Sequence, residues 1–333
     1  MSSNEPSNVS SVSRLPALAL DPSIPAHAST RIATILNHSI ESTTTASRRS
    51  AWRLWQNFTR IYPQAPELPS NPQWICVFLQ HFFDSGYSSG SLTTYLSHIG
   101  ACYTQAGHQD WTTIRQHPLI RRLIDGMKKL EMIHRAPRQE PTLLTYGNIL
   151  STRVAESSLD HVLYNTILLC GFFGLHRLAE LTDPDTFDPT VQSAKRIKLA
   201  SVQFFTNTVQ YSLPYHKGDR FGRSSIIVIQ DATTRHTLQR YLQLRTHLKS
   251  PYLFIHADGT TPTKAWFLRI LQYKLPNSSG KSLRRGGATA MAQAGATPQQ
   301  IQEAGRWSSE AWKIYVRDHP ALAAILRNRA HGL

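Results

Sequence analysis

The sequence predicts a mainly α-helical protein of two folded units, the second with a small antiparallel sheet. Three observations carry that expectation. Apolar residues recur at helical spacing from Arg31 to Ile133, a proline-bracketed stretch at 137–141 interrupts the pattern, and one pair of alternating segments flanks a turn beyond it. At 333 residues the chain is long enough for two cores.

Residues 1–29 are rich in Ser, Pro, Asn and Ala with almost no charge, and read as a disordered tail. A helical domain is expected over 30–136. Ile32, Ile35, Leu36 and Ile40 form a short apolar face, and Ser42–Thr45 reads as a polar break. Ala51, Trp52, Trp55, Phe58, Ile61 and Tyr62 then mark a stronger amphipathic helix. Asn71-Pro72 is a cap followed by a first-turn proline, opening a helix over Trp74–Phe83 that Gly86 ends. Ser91 begins the next helix, and Pro118–Met132 carries a last one with Leu119, Leu123, Ile124, Met127 and Leu130 on one side.

The second domain is expected over 142–333. Leu159–Phe173 is too apolar to be anything but a central core helix. Val202–Tyr215 alternates as a strand, 217–222 turns, and Ser224–Ile229 is a β-branched strand, which makes a hairpin with Lys217 at its tip. Helices follow over Thr233–Lys249 and Pro262–Leu271, with a short strand at Tyr252–Ile255 between them, and the remainder is helical to Asn328.

Charge narrows the partner. Lys and Arg outnumber Asp and Glu by 36 to 21, a formal net charge of +15, which points to a polyanion such as nucleic acid. Arg115, Arg121, Arg122, Lys128, Lys129, Arg135 and Arg138 face only Asp125 and Glu131 over the same span and lead into the linker, as a DNA-binding surface would. The three cysteines are widely spaced and outside any C-x-x-C pattern, which fits a reducing, intracellular setting. No apolar run reaches the ~18–20 residues that span a bilayer. A P-loop, an H-E-x-x-H pair, an acidic metal cluster and a G-x-S-x-G elbow are all missing from the sequence, so neither a metal nor a nucleotide cofactor is expected.

Six residues could do chemistry. Arg177 lies in an apolar stretch, either paired with Glu180 at i+3 or oriented by it toward an anionic ligand. Arg284 and Arg285 precede Gly286-Gly287, which would let a bulky ligand approach the backbone; two distant arginines could clamp one phosphate, with Lys281 adding charge. Lys217 could donate a proton from the hairpin tip. Trp307 offers an indole N–H, and Tyr315 follows it by eight residues on a helix expected to be capped by Ser308 or Ser309. The fifteen histidines are scattered and read mostly as surface residues.

Three segments carry a family resemblance: Gly174–Leu181 (GLHRLAEL), Ser279–Thr289 (SGKSLRRGGAT) and Gly305–Arg317 (GRWSSEAWKIYVR). Together, in this order and with the hairpin lysine between, they resemble tyrosine recombinases of the phage integrase class. Closest are the Cre-like members and those of DIRS-type retrotransposons and Cryptons. The resemblance implies a helical core-binding (SAM-like) domain, a linker and a catalytic domain that cuts and rejoins double-stranded DNA without a cofactor. It implies Arg177 and Arg284 as catalytic arginines, Glu180 as support for Arg177, Lys217 as general acid, Trp307 as a phosphate hydrogen-bond donor and Tyr315 as nucleophile. Lys281 stands where most members have histidine and is the poorer general base. The resemblance further implies a homotetramer joined through an apolar helix over 320–328, and a nuclear location if the host is eukaryotic. A DNA-binding relic and a type IB topoisomerase-like activity remain as alternatives.

Overall fold

The computed structural model describes residues 15–40, 42–134, 142–185, 194–214 and 224–316. It divides into two compact units, Met1–Arg138 and Gln139–Leu333.

The first unit holds α1 (Ala26–His38), α2 (Ser42–Ile61), α3 (Pro72–Asp84), α4 (Ser89–Gln105), α5 (Trp111–Arg115) and α6 (Pro118–His134). The Asn71 side chain accepts the Gln73 N–H at 2.8 Å with Pro72 in the first turn, the start that this dipeptide predicts. Gly86, at φ +91°, turns the chain out of α3. The core is aromatic at its centre: Trp55, Phe58 and Phe78 have ring centroids 5.3–5.5 Å apart, a spacing that favours tilted and edge-on contact. Leu92, Leu96, Ile99, Ile120, Ile124 and Met127 complete it.

Three expectations for this unit are corrected. The polar run Ser42–Thr45 belongs to α2, since Ser and Thr are tolerated in a helix that buries Trp52, Trp55 and Phe58 further along. Residues 15–29, expected to be disordered, are ordered: Ala19 N–H donates to the Gln105 carbonyl at 3.0 Å, Gln105 Nε2 to the Pro16 carbonyl at 3.1 Å, and Leu15 packs on the core. The apolar face of α1 is mostly not buried, with Ile35 and Leu36 exposed.

The second unit is built on α8 (Leu159–Phe173), whose bounds match the apolar run and whose residues from Val162 to Phe172 are all buried. Around it lie α7 (Tyr146–Thr152), α9 (Leu178–Leu181), α10 (Ala232–Leu244), α11 (Lys264–Lys274), α12 (Gly280–Gln293), α13 (Pro298–Ala304) and α14 (Lys313–Val316). Three strands, β1 (Gln203–Phe204), β2 (Val209–Leu213) and β3 (Ser225–Ile229), form an antiparallel sheet in that order. Val209, Tyr211 and Leu213 point into the core opposite Ile229, Ile227 and Ser225, so the alternation of the sequence sets the register.

The single strand expected over Val202–Tyr215 is two strands, because Phe205 N–H closes a turn onto the Thr208 carbonyl at 2.8 Å around Asn207, a residue suited to turns. No strand forms at Tyr252–Ile255. Its carbonyls are taken by side chains instead: Arg245 Nη1 donates to Tyr252 O and Leu253 O, and the Tyr241 hydroxyl donates to Ile255 O at 2.7 Å. A lone bridge to Lys198 is what remains. Lys217, Arg135, Arg138, the 137–141 linker and the 320–328 segment lie outside the described residues.

Candidate active site

The site assembles where the C-terminal end of α8 meets α9, α12 and the end of α13. Gly174 caps α8, and Leu175 then takes a left-handed conformation (φ +47°), which strains a residue with a Cβ. This turn delivers His176 and Arg177 to the start of α9. Glu180, three residues on, reaches back to the Arg177 N–H at 3.1 Å, as the acid of a capping box does.

Glu180 is the hub. One carboxylate oxygen accepts from Arg177 Nη1 at 3.0 Å; the other accepts from Arg306 Nη2 at 3.0 Å and from His176 Nδ1 at 2.9 Å. Burial would raise its carboxyl. The hydrogen bond from His176 and the charges of Arg306 and Arg284 outweigh that and hold it well below the usual carboxylate range. A carboxylate on Nδ1 makes that nitrogen the donor, so Nε2 accepts from the Tyr211 hydroxyl at 2.7 Å. Burial lowers the His176 pKa to about 4, with the charge of Arg306 adding to the effect against the pull of Glu180, and the imidazole is neutral. Burial likewise raises the Tyr211 hydroxyl well above its ordinary value.

Arg284 comes from the second turn of α12 and is 2 % exposed. Its Nη1 donates to the Leu175 carbonyl at 2.7 Å, its Nη2 donates to the Gly305 carbonyl, and its guanidinium lies 4.4 Å from the Trp307 ring centroid. Its Nε is buried without an acceptor among the described residues. Burial first, then Arg177, lowers its pKa to about 10, so it stays charged at neutral pH; the charges of Glu180, Arg306 and Tyr315 also act on it. Trp307 is buried beside Tyr315, with ring centroids 5.3 Å apart. Tyr315 is half-buried in α14, on a small apolar platform of Leu175, Ala288, Ala292, Ile301, Trp312 and Val316.

The structure therefore brings together Arg177, Glu180, Arg284, Trp307 and Tyr315. Arg177 is 32 % exposed, and among the described residues only its Nη1 is engaged through the side chain. Lys281 is exposed in the first turn of α12, half-buried Arg285 follows Arg284, and Lys217 is outside the described residues.

Four readings of the site change. His176 is wholly buried rather than a surface histidine, because Glu180 and Tyr211 satisfy both ring nitrogens. Arg306 had no role assigned from the sequence; its place inside Gly305-Arg306-Trp307 was the available signal. Gly286 and Gly287 do not open the backbone to a ligand: a Cβ there would stand 2.1 Å from the Leu144 and Phe172 carbonyl oxygens, so they let α12 pack closely. Ser309 stands at the cap position of the 3₁₀ turn Glu310–Trp312 but makes no side-chain cap bond. On α6, Arg121, Arg122, Lys128 and Lys129 are exposed, and Arg115 is half-buried on α5. Glu131 turns inward to the Ser89 N–H at 2.9 Å, which leaves Asp125, 3.1 Å from Lys128, as the carboxylate on that outer face.

No family model and no curated protein matches the sequence. Solved structures resemble it. The Tn1549 transposon integrase in complex with transposon right end DNA aligns with a TM-score of 0.56 at 13 % identity, over 90 % of this chain and 98 % of that one. The XerH site-specific recombinase bound to palindromic difH substrate, in a post-cleavage complex, aligns at 0.55 and 14 % identity, over 84 % and 80 %. A lambda integrase dimer bound to a COC′ core site aligns at 0.52 and 14 %, over 87 % and 94 %. The likeness is one of fold: mainly helical with a three-stranded antiparallel sheet, the fold of tyrosine recombinases.

Proposed function

We propose that the protein is a site-specific DNA recombinase that cleaves and rejoins strands through Tyr315. The observation that carries this reading is the convergence of Arg177, Arg284, Trp307 and Tyr315, drawn from three separate segments, around one carboxylate and one strained turn. The similarity to solved recombinase and integrase complexes with DNA supports it.

In this reading the Tyr315 oxygen attacks the scissile phosphorus, forming a 3′-phosphotyrosyl bond as the bond to the 5′-oxygen breaks. Lys217 supplies the proton that the leaving 5′-hydroxyl takes up. Arg177 and Arg284 stabilise the charge that builds on the non-bridging oxygens, and their fixed orientation means little reorganisation in the transition state. The Arg177 edge and the Arg284 Nε, without acceptors among the described residues, are donors suited to such oxygens. Trp307 holds Arg284 from its ring face and donates its indole N–H to the phosphate. The covalent link conserves the phosphodiester energy, so a 5′-hydroxyl reverses the step without ATP. Lys281 is exposed at the start of α12 and is a poorer general base than a histidine, so the phosphate and the arginines would favour the phenolate, with the Tyr315 proton passing to water.

Arg115, Arg121, Arg122, Lys128, Lys129, Arg135, Arg138 and Arg285 would contact DNA phosphates. The 320–328 segment would join protomers into a homotetramer on two DNA sites. The function would be integration or excision of a mobile element, in a nucleus if the host is eukaryotic, as the resemblance to DIRS-type and Crypton enzymes implies. The test uses a randomised library of nicked double-stranded DNA, in which cleavage near the nick traps the covalent complex. The wild type should give an SDS-resistant adduct that Tyr315→Phe lacks; an adduct persisting in Tyr315→Phe would remove the nucleophile assignment.

A further inference from the structure

We infer that Arg306 is a positioning residue of this site, clamping the Leu175 turn to Glu180 so that Arg177 and Arg284 face one phosphate. This rests on the strand-cleavage reading given above.

Its side chain runs back to a segment about 130 positions earlier in the chain and is 8 % exposed. Nη1 donates to the Gly174 carbonyl at 3.1 Å and the Ala304 carbonyl at 3.2 Å. Nη2 donates to the Leu175 carbonyl at 3.1 Å and to Glu180 at 3.0 Å. One guanidinium thus ties together the end of α8, the strained turn, the end of α13 and the hub carboxylate. The Leu175 carbonyl it grips is the same one that Arg284 Nη1 grips. Arg306 itself sits at φ +55°, a left-handed conformation that strains a residue with a Cβ. The backbone turn that aims this side chain inward is held by the four bonds it makes.

The division of labour among the arginines follows from their partners. Among the described residues Arg306 has both terminal nitrogens committed to protein acceptors, whereas Arg177 has one, and its side chain is four times as exposed (32 % against 8 %). Arg177 can meet an anion and Arg306 cannot without giving up the turn. Around Glu180 the described residues place three guanidiniums against one carboxylate, and His176 is neutral. Arg306 shares the carboxylate with Arg177, each at 3.0 Å, and from the buried side leaves a positive excess on Arg177 and Arg284 toward the open side.

The test compares Arg306→Lys and Arg306→Gln with wild type in the full chain, using the nicked DNA library. It measures adduct formation at saturating DNA, DNA affinity, and the His176 ring by NMR across about pH 3 to 8, a range that contains the lowered midpoint. Lysine keeps the charge but not the fork, so Arg306→Lys should cleave ~100-fold more slowly, the loss expected for a misplaced catalytic group, with DNA affinity unchanged. In Arg306→Gln the protonation midpoint of His176 should rise. The groups facing that ring are Glu180 from α9, Tyr211 from β2 with Cys170 of α8 behind it, Arg284 from α12 and Arg306. Removing Arg306 leaves the carboxylate to favour the imidazolium.

Wild-type cleavage rates in both variants, equal losses of rate and affinity, or an unmoved His176 midpoint would each overturn the inference. If Arg306→Gln does not fold, the Arg306→Lys rate decides. If the wild type forms no adduct, the cleavage reading falls while the NMR arm still tests the clamp.

Discussion

His176 should make this protein acid-sensitive in a window that one substitution removes. Folded, the ring is wholly buried with a pKa lowered to about 4; unfolded, it returns to 6.5. Above pH 6.5 neither state binds the proton and the ring costs nothing. As pH falls from there toward 4, only the unfolded chain takes up the proton, so stability is lost. At pH 5 the loss is about 2 kcal/mol, since each pH unit between the two values contributes about 1.4 kcal/mol. That corresponds to ~4–8 °C in melting temperature for a unit of this size.

His176→Gln tests it, because a glutamine can donate to Glu180 and accept from the Tyr211 hydroxyl. Denaturant unfolding of both proteins at pH 7.5 and 5 isolates the ring, since every other titrating group is shared. The wild-type advantage should shrink by about 2 kcal/mol on acidification. An advantage that stays constant or grows would mean that the folded imidazole is protonated, refuting the tautomer and the neutral state assigned to it.

Other substitutions probe the rest of the site. Glu180→Gln leaves the buried Arg306 guanidinium without its counter-charge and should cost ~3–5 kcal/mol in urea unfolding. Gly305→Ala puts a Cβ 1.7 Å from the Trp307 ring, which must move off Arg284; a cost of ~1–3 kcal/mol and slowed cleavage are expected, read by thermal melts and adduct assay. Arg177→Ala should abolish adduct formation while sparing most DNA affinity in a gel-shift titration. Lys281→His should hold or raise the single-turnover cleavage rate; a large drop would assign the lysine a tuned role.

Local signals were legible without tertiary structure. Asn71-Pro72 announces α3 because cap and proline act within a few residues, and the apolar run Leu159–Phe173 yields the bounds of α8 because no exposed helix could carry it. The candidate residues Arg177, Glu180, Arg284, Trp307 and Tyr315 were picked out by the resemblance of three short segments, and the structure gathers them. Segments whose hydrogen bonds go to distant side chains misled. Tyr252–Ile255 has strand composition, yet Arg245 and Tyr241 take its backbone groups.

What the sequence by itself determined is the helical plan and the basic charge, since composition and periodicity are properties of nearby residues; the candidate site residues came from the resemblance of three short segments. Only the tertiary structure decided what each charge answers to. A histidine beside Arg177 became a neutral link between Tyr211 and Glu180, and Arg306 became a clamp on a turn about 130 positions earlier. Two glycines that read as room for a ligand proved to be room for Leu144 and Phe172. The physical reason is common to all of these. The state of a buried polar group, and the space beside a glycine, are set by partners that folding brings from elsewhere in the chain.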